Sequence, residues 1–243
     1  MNDHRQKIID NFEQYRIGLE DTFAFKCRNC GKCCKNRDDI LLNSRDVFNV
    51  AGALNLSNEK TIEKYCETYI GQNSRVPIIR LKPVGNNKVC PLLSGNRCLV
   101  HSLKPTVSAA YPIGRVFAFA NMDNNESLVA LEFRPNEIQY VLNQVSCGSA
   151  KRRQTVREWL EMFNIPIDDT FFLEWNKAVQ AIGSFVRKFE EKPGASAKIL
   201  NVLLNAICVD LYLNYDSQKE FQPQFESNVT RMHEAISKFQ EML

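Results

Sequence analysis

Apolar residues recur at helical spacing over residues 6–20, where Ile8, Ile9, Phe12, Tyr15 and Leu19 define one face. The spacing predicts a helix there. Phe23-Ala-Phe25 then reads as extended, a cysteine-rich loop occupies 27–37, and Ile40 to Leu42 reads as a short strand. Ser44 is a candidate N-cap for a helix through Val50. Ser57, followed by Glu59, predicts a second helix from Asn58 to Tyr69. The middle of the chain is β-like. Val76 to Leu81 alternates weakly, and turns are expected at Asn86-Asn87 and Ser94-Gly95-Asn96. Val116 to Met122 and Leu128 to Phe133 flank Asp123-Asn-Asn-Glu126 as a predicted hairpin, and Ile138 to Leu142 reads as one more strand.

Past residue 150 the pattern becomes helical. Thr155-Val-Arg-Glu158 is a capping box opening a helix through Phe163, which Pro166 ends. Asp168 or Asp169 starts a longer helix to about Glu191, stopped by Pro193-Gly194. Residues 195–213 and 225–243 predict two more. The expected class is α+β. A small, irregular, β-containing domain over 1–150 carries most of the cysteines, and a mostly helical part over 151–243 packs on it.

Composition narrows the function classes. The chain has 243 residues, 44% hydrophobic and 24% charged, which excludes a disordered chain or a coiled-coil rod. A net charge of +3 is too mild to argue for nucleic acid or an anionic membrane. The most apolar stretch, Ile199 to Leu213, is interrupted by Asn201, Asn205 and Asp210, so it reads as a buried helix. The N-terminal residues show no secretory pattern. The expectation is a cytoplasmic protein with reduced thiols, with no membrane or nucleic-acid partner and an unspecified protein partner.

Nine cysteines change this plain picture. Cys27-Arg-Asn-Cys30-Gly-Lys-Cys33-Cys34 has the spacing C-x2-C-x2-C-C. That spacing turns thiolates toward one centre and leaves the intervening amides free to donate to sulfur. Gly31 supplies the positive-φ turn this needs. Three thiolates at consecutive x2 spacings suit an iron–sulfur cluster, with a four-iron cluster favoured, whereas zinc sites more often use well-separated pairs. Adjacent Cys33 and Cys34 point to opposite sides if the chain is extended there. Cys90 and Cys98 bracket the turn at Ser94, which predicts cross-strand neighbours able to share a metal or form a disulfide. Cys147 lies in Ser146-Cys-Gly-Ser149. Cys66 and Cys208 read as packing residues inside helices, and His101 as a hydrogen-bonded residue with ligation as the lesser reading. Lys151-Arg152-Arg153 reads as a solvated face.

The ordered blocks resemble the YkgJ-type cysteine-cluster family, described as zinc- or iron-chelating. They are Phe25-Lys-Cys-Arg-Asn-Cys-Gly-Lys-Cys-Cys34 with Ile40-Leu-Leu and Asp46, then Cys90-Pro-Leu-Leu with Cys98-Leu-Val-His101, then Lys104-Pro-Thr-Val-Ser-Ala-Ala-Tyr-Pro112, then Cys147-Gly148. The resemblance implies a metal site built from Cys27, Cys30, Cys33, Cys34, Cys90, Cys98 and Cys147. The family's third block usually carries Cys-Arg where this chain has Ser108-Ala109, so one thiol is missing. Seven are more than one site needs and one short of two four-thiol sites.

Three function classes follow. The first is a metal-binding protein, with an iron–sulfur cluster or zinc in a structural or electron-transfer role. The second, by resemblance, is a metal-dependent enzyme related to flagellin lysine N-methylases, although no glycine-rich cofactor loop follows a strand. The third is a zinc-stabilised interaction module whose helical half docks a partner. With histidines only at 4, 101 and 233, no Ser/His/Asp set can be assembled.

Overall fold

The structure is a computed structural model that describes residues 12–117 and 138–241. Helix α1 (Phe12–Tyr15) is followed by strand β1 (Thr22–Lys26), a 3-10 turn (Lys32–Cys34) and β2 (Leu41–Leu42). Helices α2 (Ser44–Leu54) and α3 (Asn58–Tyr65), strands β3 (Cys66–Ile70) and β4 (Pro77–Leu81), and the hairpin β5 (Leu93–Ser94) and β6 (Arg97–Cys98) come next. Helix α4 (Thr106–Ala110) leads to β7 (Ile113–Phe117), β8 (Ile138–Leu142) and β9 (Ser149–Thr155). The chain ends in α5 (Val156–Met162), α6 (Thr170–Glu190), α7 (Ala197–Cys208) with a π turn over Val209–Leu213, and α8 (Phe221–Glu241). Among the described residues, small antiparallel sheets beside eight helices make the fold α+β, with a helical C-terminal part as expected.

Several predicted elements shift for identifiable reasons. The helix expected over 6–20 is seen as Phe12–Tyr15, with residues before 12 outside the described ones. It stops there because Arg16 bridges Val141 and the Ile17 amide donates to the Tyr140 carbonyl at 3.0 Å, so the backbone is committed to β8. Asn43, not Ser44, caps α2, in a capping box with Asp46. The helix expected to reach Tyr69 ends at Tyr65, and Cys66–Ile70 pairs with β4 along its whole length. Its Thr-Tyr-Ile run is β-prone, and sheet pairing overrides the helical continuation. The hairpin predicted across 116–133 lies outside the described residues except for the end of β7, whose partner is β8. Strand β9 is missing from the sequence reading. Its exposed Ala150-Lys-Arg-Arg153 core shows no apolar alternation, because only Gln154 of this strand is buried.

Two apolar cores form. The larger collects Ile40, Val47, Val50, Ile79, Leu92 and Val100 with Ile182, Phe185, Leu211 and Met232 of the C-terminal helices. The smaller collects Phe23, Phe25, Ile113, Tyr140, Trp159 and Leu160, with the Trp159 ring edge-on to both phenylalanines. Both cores therefore join residues from before and after 150.

A buried ion cluster ties the same parts together. Asp169 caps α6 and its side chain is 1% exposed. Arg45 of α2 grips it through two nitrogens at 3.1 and 2.6 Å, and Arg115 of β7 adds a third bond at 2.7 Å. The two guanidinium groups lie 4.3 Å over the rings of Phe171 and Phe172 respectively. Burial opposes ionisation of Asp169, but its bonds to Arg45 and then Arg115 outweigh that and hold its pKa below the ordinary value.

Candidate metal centre

Three separate segments bring thiols together, and each is placed by ordinary backbone pairing. The C-x2-C-x2-C-C loop springs from the end of β1. Asn29 and Gly31 adopt left-handed conformations (φ 50° and 67°), which fold the loop back on itself. The Asn29 amide donates to Cys27 Sγ at 3.5 Å, the amide-to-sulfur contact that the x2 spacing allows. Cys33 and Cys34 sit in the 3-10 turn, so they do not point to opposite sides as an extended pair would. The two thiols are close enough to shift each other's ionisation in opposite directions.

The second segment docks through Cys90, whose amide donates to the Cys34 carbonyl at 2.8 Å. Flanking bonds from Asn36 to Asn87 and from Arg37 to Lys88 extend this seam. Cys98 pairs with Leu93 rather than with Cys90. The hairpin is tighter than expected, since its turn spans only Gly95 and Asn96 and the ladder ends before Cys90. Both thiols nevertheless lie within electrostatic reach of Cys34 and of each other.

The third segment is positioned by β9. Lys26 pairs with Ser149, so Cys147 and Gly148 lie alongside the start of the loop. Gly148 has φ 75°, and a Cβ there would fall 2.4 Å from a Phe25 ring carbon and 2.9 Å from the Lys26 carbonyl. Only glycine fits both demands. Cys147 contacts the Tyr111 hydroxyl at 3.9 Å and lies near enough to Cys33 to influence its ionisation.

The electrostatics centre on the adjacent pair. The Cys33 hydrogen bond lowers the pKa of Cys34, while the same bond and burial push Cys33 upward. Burial also raises Cys90 and Cys147, the latter with help from the nearby Cys33 charge. Tyr111 rises to about 12, through burial and then Cys147. Cys34 is thus lowered while Cys33, Cys90 and Cys147 are raised, and ionised sulfur is what binds metal.

The remaining candidates separate cleanly. Cys66 opens β3, is buried in the larger core, and burial lifts its thiol to about 12. It also feels the charge of Cys90. Cys208, on α7, is raised by burial alone. His101 is exposed, and its neutral form is favoured by partial burial and by Lys104. Ser108 sits on α4, and its amide donates to the Pro105 carbonyl. All nine cysteines are free thiols. Among the described residues, no three His, Cys, Asp or Glu side chains form a closed coordination site.

Comparison with known families bears on this convergence. Residues 26–131 match the CxxCxxCC family model. Its description is "Putative zinc- or iron-chelating domain". The CxxCxxCC stretch contains Cys27, Cys30, Cys33, Cys34, Cys90 and Cys98, while Cys147 and the C-terminal helices lie beyond it. No curated protein and no solved structure matches the chain. The donor chemistry fits the family's description. Free thiols from three segments approach the Lys32–Cys34 turn, and thiolate is the preferred ligand of zinc and of iron–sulfur clusters. Among the described residues, no helix is long and apolar enough to cross a membrane.

Proposed function

We propose that the protein holds an iron–sulfur cluster, with four iron atoms favoured and zinc as the alternative, in a structural or electron-transfer role. The ligands come from Cys27, Cys30, Cys33, Cys34, Cys90, Cys98 and Cys147, with Cys34 at the hub. The carrying observation is the seam that seats the Cys90 amide on the Cys34 carbonyl while β1 and β9 bring Cys147 to the same loop. Cys90 and Cys98 pack against the larger core and Cys147 against the smaller, but Cys27, Cys30, Cys33 and Cys34 belong to neither. Cys27, Cys30, Cys33, Cys34, Cys98 and Cys147 all retain solvent exposure, so packing alone is a poor reason for gathering them.

Iron–sulfur is preferred over zinc because three thiols occupy consecutive x2 positions in one loop. Such a cluster supplies one-electron chemistry, and the protein's part is to hold it, set its electrostatics and limit water access. The Asn29 amide on Cys27 is one of the donors that would stabilise negative sulfur. Anaerobically purified protein is expected to be brown, with about four iron and four acid-labile sulfide per chain. About one zinc per chain with no iron or sulfide would replace the cluster with a tetrahedral zinc site.

A further inference from the structure

Strand pairing places two carboxylate-free, basic segments side by side. Residues 22–37 and 138–157 contain nine of the 31 Lys and Arg of the chain and none of the 28 Asp and Glu. The remainder therefore carries 22 cations against 28 carboxylates and is net acidic. Because β1 pairs antiparallel with β9, with Lys26 opposite Ser149 and Ala24 opposite Arg153, Lys151, Arg152 and Arg153 line the ribbon and Arg28, Lys32 and Lys35 follow in the loop beyond its end. All seven side chains are exposed, and none forms an ion pair among the described residues. Arg153 instead reaches the Thr22 hydroxyl, and Arg152 lies 4.0 Å from the Met162 sulfur.

Lys151, Arg152 and Arg153 lie too far along the ribbon to serve only as counter-ions for thiolates. At about 3.3 Å per strand residue, Arg153 lies on the order of 20 Å from Cys147, beyond the roughly 8 Å screening length of physiological salt. Apolar surface adjoins the charge. A cleft of about 260 Å³, lined by Phe23, Pro112, Leu142 and Val145 among others, opens beside β1, and Val145 and Met162 are each more than 40% exposed. Among the described residues of β1 and β9 no exposed aromatic ring interleaves the cations to stack on a base, since Phe23 and Phe25 are buried. Cations rimming exposed apolar groups are the anatomy of a protein interface.

We infer that the ribbon β1–β9 and the adjoining cysteine loop form a docking face for an acidic protein surface. Opposite charge steers such a partner to this side of an otherwise acidic molecule and sets its orientation over the cysteine loop. The inference does not depend on which metal the loop holds.

The test is an anisotropy titration of the metal-loaded full chain with labelled polyglutamate. Three proteins are compared: wild type, the triple variant Lys151→Glu/Arg152→Glu/Arg153→Glu, and a distant control, Lys60→Glu/Lys177→Glu/Lys192→Glu. The face predicts binding to wild type that weakens as salt rises, at least about a tenfold loss in the ribbon variant, and little change in the control. A neutralising Lys151→Gln/Arg152→Gln/Arg153→Gln variant should fall between wild type and the charge-reversed ribbon. Metal content is measured in every sample. Unchanged metal with lost binding supports the face. Equal losses in ribbon and control variants overturn it, as does tighter binding to duplex DNA of matched charge than to polyglutamate.

Discussion

Replacing Asp169 with alanine is expected to lower the stability of the protein by about 3–5 kcal/mol, the range for removing one partner of a buried ion pair. The cost is not the loss of attraction alone. Arg115, 6% exposed, and Arg45, 21% exposed, would be left as neighbouring cations with no counter-charge, pressed against Phe172 and Phe171. Helix α6 would also lose its cap, since the Asp169 carboxylate accepts from the Phe172 amide. The damage should spread, because the three partners belong to α2, β7 and α6. Equilibrium denaturation of Asp169→Ala beside wild type measures the change. The same carboxylate gives a pH signature of known sign. Its folded pKa lies below the unfolded value, so its contribution is present above about pH 4 and is lost as pH falls through the folded value. The alanine variant should show a correspondingly shallower acid dependence. A loss under about 1 kcal/mol would mean that the cluster merely breaks even against solvent.

Withholding metal is expected to loosen the cysteine segments and leave the helical core in place. Between residues 27 and 39 only Gly31 is buried, so no apolar side chain anchors that loop. Its attachments include the seam to 87–90, the pair between Lys88 and Asp38, and an Arg80 bond to the Asp38 carbonyl at 2.8 Å. Such exposed bonds stabilise weakly, whereas metal coordination can contribute about 10 kcal/mol or more to a structural site. Protein refolded in chelator should therefore exchange its amides over 27–37 and 90–98 at least about 100-fold faster than metal-loaded protein. Amides of α6 around Ile182, which is fully buried, should stay protected. Equal exchange in both forms would show that the loop holds itself.

The legible and illegible parts of this molecule differ in physical kind. Helices with strong local signals were readable, as at Thr155 and Glu158, whose capping box forms as written, and at Asp169, which caps α6. The turn at Gly31 was readable because a positive φ leaves glycine as the natural residue. The strand over Ile138–Leu142 has the predicted limits. What escaped depended on partners far away in sequence. Cys66 enters a strand because β4 is there to pair with it. Strand β9 is polar and exposed, and only its pairing with β1 makes it a strand. The candidate site follows the same rule. The spacing of Cys27, Cys30, Cys33 and Cys34 announced chemistry, but that Cys33 and Cys34 share one face required the 3-10 turn. The reason glycine follows Cys147 required the Phe25 ring, and the clamp of Arg45 and Arg115 on Asp169 had no local sequence signal at all.

The central claim is that thiols from three distant segments hold one metal centre around Cys34. It is tested most directly by metal content per folded chain in Cys34→Ser and Cys208→Ser, purified side by side without oxygen. Cys34 lies among Cys33, Cys90 and Cys98, whereas burial alone perturbs Cys208. The account predicts native metal in Cys208→Ser and little or none in Cys34→Ser. Equal metal in the two variants would contradict it.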